Sequence, residues 1–185
     1  MYNLHSILIQ LKKEDTPLHG VMVRCVRCFY QWLDPTLWEG SALFELWAQE
    51  LELIYGDLRQ RLSPNAKTDA GSLGDRFGFD TPPELPRLLQ SIQTFYSVLI
   101  KLIAWNTLRG ATPEPPLTEL LSGRAFVNRG IRNFCGDDWY IWPLDIWDPA
   151  LETQCEELRA CLESFDTCPE GSTLSPDSLS RIYET

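Results

Sequence analysis

Histidine is nearly missing from this chain: His5 and His19 are the only two among 185 residues, and neither has a partner at metal-ligand spacing. Both are expected as surface or internally satisfied side chains rather than ligands. Lysine is scarce as well. The residues two places before Lys12, Lys13, Lys67 and Lys101 are Gln10, Leu11, Asn65 and Leu99. No lysine therefore completes the acid-x-Lys arrangement with which a nuclease holds a metal and activates water. Also absent are a Gly-x-x-x-x-Gly-Lys-Ser/Thr phosphate loop and a Gly-x-Ser-x-Gly nucleophile elbow. The start, Met1 to His5, has no basic segment followed by an apolar one. The expected location is the cytoplasm. There is no internal repeat and no stretch with strand-like alternation.

Basic charge is missing from one part of the chain in particular. The net charge is −10, yet residues 1–136 hold 14 Lys and Arg against 14 Asp and Glu, while residues 137–185 hold 2 against 12. An acidic last quarter repels phosphate and leaves room for a basic face only upstream.

What is present is apolar mass. Hydrophobic residues make up 44% and aromatics 11%, with seven Trp, which places the chain among folded proteins with a sizeable core. The most apolar stretch is Ser91 to Leu108, whose apolar residues cover most of a helical circumference. Lys101 interrupts it short of the roughly 18 to 20 apolar residues that a bilayer crossing needs, so a core helix is expected and a membrane is not. That central helix is expected over about 84–109, starting at Pro83 or Pro86 and stopping at Gly110. The other helices expected around it are Gly20 to Leu33, Thr36 or Ser41 to Leu62, Leu117 to Leu121, and Pro149 to Phe165, with a further one opening at Ser175-Pro176-Asp177. Residues 63–86, punctuated by Gly and Pro, read as a long loop, and Gly123 to Trp147 as irregular and aromatic-rich. The fold class is all-α, a helical bundle around one buried helix in a single domain of residues 1–185.

Six cysteines, at 25, 28, 135, 155, 161 and 168, are expected as reduced thiols. Cys25 and Cys28 have metal-like spacing, but no second pair completes a four-ligand zinc site, and i, i+3 thiols on a helix suit a core. No metal is expected.

Four segments in order resemble the helical region ahead of the catalytic domain in N6-adenine DNA methyltransferases of restriction-modification and phage-defence systems. Glu45-Leu46-Trp47-Ala48 to Ile54-Tyr55-Gly56 resembles a family helix ending in Tyr-Gly. Thr94-Phe95-Tyr96 followed by aliphatics, Lys101 and more aliphatics resembles its hallmark buried helix. Gly123 to Phe134, then Asp138-Trp139-Tyr140-Ile141-Trp142-Pro143, resembles its Gly-Ile-x-Asn-Phe segment and following aromatic element. Asp177 to Glu184 resembles the Leu-x-x-Ile-Tyr-Glu helix that leads into the catalytic domain.

The resemblance implies a non-catalytic domain that docks against a methyltransferase domain in cis and contributes to DNA engagement, with residues 174–185 opening the connecting helix. S-adenosylmethionine is then a cofactor of the parent protein and not of this segment. Asp34-Pro35-Thr36-Leu37 and Asp148-Pro149-Ala150-Leu151 hold only the first two residues of an Asn/Asp-Pro-Pro-aromatic loop and lack its stacking ring, so both read as helix starts and no catalytic residue is assigned. Candidate phosphate contacts are Arg124, Arg129 and Arg132 with Asn128, a basic group with no acid until Asp137; pairing with acids inside the protein is the competing reading. Trp139, Tyr140, Trp142 and Trp147 are candidate interface aromatics, with a core role competing. The alternative function is a stand-alone cytoplasmic helical interaction module that uses its acidic C-terminal surface.

Overall fold

A computed structural model describes residues 4–33, 44–50, 73–108, 110, 112–135 and 140–164. These form an all-α structure whose named helices are α1 (Leu4–Lys12), α2 (Pro17–Trp32), α3 (Leu85–Leu108), α4 (Leu117–Leu121), α5 (Arg124–Val127) and α6 (Pro149–Glu163), with a 3-10 turn at Trp142–Leu144. Residues 44–50 and 73–76 are helical as well.

Local chemistry fixes the helix ends. Thr16 is the N-cap of α2: its Oγ1 accepts the His19 N–H at 3.2 Å and donates to Gln10 O at 2.6 Å, and Pro17 occupies the first turn, where no N–H is needed. The helix expected from Gly20 therefore begins three residues earlier, because Thr16-Pro17 supplies its cap and first turn. Asp148 does the same for α6, accepting the Leu151 N–H at 2.8 Å ahead of Pro149. The expected loop over 63–86 is shorter at its described end, since 73–76 is helical and α3 already begins at Leu85.

Helix α3 is buried as its composition predicts. Six consecutive residues, Val98 to Ile103, are buried, and six residues on a helix pass right round its axis. Its length and mean hydropathy of 1.2 are those of a possible membrane span, but 67% of its most apolar stretch packs inside the protein. The centre is shared with α2, which packs mainly on α6 and α3 and also on α1, while α3 further meets α4 and α6. A continuous core runs from Ile7 and Leu11 through Phe29, Phe95 and Leu99 to Phe126, Leu158 and Leu162. Burying this many large apolar side chains, at roughly 1.5–3 kcal/mol each, is what stabilises the bundle.

Two arginines satisfy backbone carbonyls at helix C-termini. Arg87 donates from Nε to Tyr30 O at 2.6 Å and from Nη2 to Gln31 O at 3.2 Å, with its guanidinium 4.1 Å over the Tyr30 ring. Arg129 does the corresponding job for α3. Each cation sits where the helix dipole is negative and backbone carbonyls lack partners.

Candidate nucleic-acid interface

The basic group of residues 124–132 is carried by α5 and the turn after it. Gly123 makes the local path possible. Its φ is +79°, and a Cβ there would lie 2.0 Å from Phe134 O, so the residue satisfies both a left-handed turn and a close crossing of the chain. Next, Phe126 is fully buried, edge-on to Trp105 at 5.9 Å and tilted against Phe134 at 4.5 Å. The turn closes back on it, because the Arg129 and Ile131 N–H groups donate to Phe126 O at 2.9 and 3.1 Å. Gly130, at φ +78°, marks the tip.

The three arginines then separate in role. Arg129 Nη1 donates to Leu108 O at 2.8 Å, Nη2 bonds Thr112 Oγ1, and the guanidinium stands 5.8 Å over the Trp105 ring. It secures the turn to the end of α3. Arg124 is exposed and borders a small cleft of about 180 Å³ that Glu119 also lines. Arg132 is exposed, as are Asn128 and Asn133 beside it. All three candidate cations and Asn128 are thus exposed, and Arg129 differs in that its guanidinium is engaged by Leu108 O and Thr112 Oγ1.

The aromatic candidates divide as well. Trp142 is fully buried, donates from Nε1 to Thr94 Oγ1 at 2.9 Å and meets Phe29 edge-on at 5.9 Å. It is a core residue and has no free face for stacking. Tyr140 is half-buried and donates to Gln93 Oε1 at 2.7 Å, and Trp147 is half-buried against the core. Trp139 and the stretch 174–185 lie outside the described residues. What sequence reasoning missed was Thr94 and Gln93 as the partners of Trp142 and Tyr140; neither pair, 48 and 47 residues apart, has a sequence signal.

Elsewhere the polar chemistry is structural. Lys101 is 2% exposed and donates to Leu121 O at 2.9 Å, satisfying a carbonyl at the end of α4. Cys25 and Cys155 are buried between α2 and α6, with Cys28 at the edge, where it lines an open groove of about 500 Å³ with Arg24 and Arg27. Burial pushes the Cys155 thiol up to about 12 and Cys28 up to about 11, and raises Cys25 well above its usual value. These are protonated packing thiols, poor nucleophiles at neutral pH. Among the described residues no group of three His, Cys, Asp or Glu side chains is placed to hold a metal ion. No family model, curated protein or solved structure matches the chain.

Proposed function

We propose that the chain is the non-catalytic helical domain of an S-adenosylmethionine-dependent N6-adenine DNA methyltransferase-like protein of restriction or phage defence. In this reading it engages DNA through its exposed arginines and docks in cis against a catalytic domain, which would hold the S-adenosylmethionine. What supports the reading is that residues of the methyltransferase-like segments make the contacts that hold the described scaffold together. Thr94 accepts the indole N–H of Trp142, Lys101 joins its helix to the end of α4, and Gly123 crosses against Phe134, the last residue of Gly130-Ile131-Arg132-Asn133-Phe134. The result is one packed scaffold that leaves Arg124 and Arg132 in solvent on an acid-free segment.

The test is duplex-DNA binding by the full chain across salt concentrations. Each phosphate contact contributes about −0.9 to the slope of log affinity against log salt, so Arg124→Ala with Arg132→Ala flattens that slope by about 2 and weakens binding. Unchanged binding in the double variant, or none in the wild type, contradicts the proposal.

A second reading is favoured by α6, where Glu152 and Glu163 are exposed and Glu156 and Glu157 half-exposed. An acidic helical face fits a module that docks a basic protein. Binding to a basic partner with none to DNA selects it.

A further inference from the structure

We infer that the turn 127–133 is a preorganised element for reading base edges in a groove of duplex DNA, and that Arg129 is a positioning residue for it rather than a phosphate contact. The inference rests on the DNA-engaging reading above and assigns the roles within that surface.

Three observations carry it. First, the turn is held rigidly at its base: Phe126 is fully buried and accepts two of the turn's N–H groups, and Arg129 ties the turn to both Leu108 O and Thr112 Oγ1 across the end of α3. A rigid projection loses little conformational freedom on binding, so its contacts convert into affinity and discrimination. Second, the exposed side chains are of the reading type. Asn128, Arg132 and Asn133 are all exposed. Asparagine pairs with the adenine edge and arginine with the guanine edge through two hydrogen bonds each. Third, residues 120–136 contain three arginines and no acid in a chain of net charge −10, so the approach of a polyanion is locally favoured here.

A division of labour follows. Arg132 supplies charge and a fork, Asn128 and Asn133 supply neutral hydrogen bonds, and Arg129 keeps them aligned without touching DNA. Because Arg129 uses its fork on a carbonyl and a hydroxyl, lysine cannot replace it even though the charge is kept. Removing the hydroxyl acceptor has the same effect while changing no charge.

The experiment is selection from a randomised duplex library by the full chain, followed by binding titrations. The wild type is expected to enrich a short preferred sequence. Asn128→Ala with Asn133→Ala loses about tenfold in preference at one or two positions. Arg129→Lys and Thr112→Val each weaken binding to the preferred sequence about tenfold, with thermal melting used to verify that both remain folded. Salt-dependent binding with no enriched sequence overturns the inference and leaves the DNA-engaging reading intact. Arg129→Lys behaving as wild type overturns the positioning role. No duplex binding at all overturns both readings.

Discussion

Gly123, Lys101 and Trp142 show what single side chains contribute to this scaffold. At Gly123 a left-handed φ and a carbonyl 2.0 Å from the site of a Cβ act together, so relief of one leaves the other. Gly123→Ala is expected to cost ~2–4 kcal/mol, read as a lowered denaturation midpoint, because both backbone strain and a displaced chain crossing are involved. Lys101 tests a different balance. A buried amine that satisfies one carbonyl has given up its hydration, and a thioether of similar length fills the same space without that cost. Lys101→Met keeps the volume but takes the donor from Leu121 O and is expected to cost about 1–3 kcal/mol, whereas Lys101→Ala also opens a cavity and costs about 2–4 kcal/mol or more in the same denaturation measurement. For Trp142, replacement by Ala removes a fully buried ring and costs about 3–5 kcal/mol.

Between elements, the α2–α6 interface carries a pH signature. Its thiols have folded-state pKa values raised from 9.0 to about 11 at Cys28 and about 12 at Cys155. The unfolded chain releases these protons first, so the stability they contribute is complete below about pH 9 and falls as pH rises from there toward 12. Alkaline melts of the wild type are expected to show that decline. Cys28→Ala with Cys155→Ala shows a shallower one, and an identical slope in both proteins would refute the assignment. The same elements show what the sequence made legible. Helix α3 was readable because its apolar positions surround the axis, and α6 because Asp148-Pro149 is a cap followed by a first-turn proline. The start of α2 was hidden because Thr16-Pro17 is at once the end of one turn and the cap of the next. Helix α5 was hidden because four residues between glycines show no period. For the candidate site, residue type and local lack of acid pointed to Arg124 and Arg132, which are exposed. Arg129 is exposed too, but its tie to Leu108 and Thr112, 21 and 17 residues away, is a contact that no local pattern encodes.

Across the whole molecule, charge is polarised while apolar packing is continuous. The basic turn sits by the C-terminal end of α3, and the acids concentrate in α6 and the residues that follow in sequence. A polyanion is therefore favoured at the basic turn over α6, and that asymmetry gives the DNA-engaging proposal its geometry. The most direct measurement is amide hydrogen exchange of the full chain with and without duplex DNA at low salt. The account predicts added protection over residues 124–133, lost as salt is raised, with α6 unchanged. Protection confined to α6, or none anywhere at saturating duplex, would contradict it.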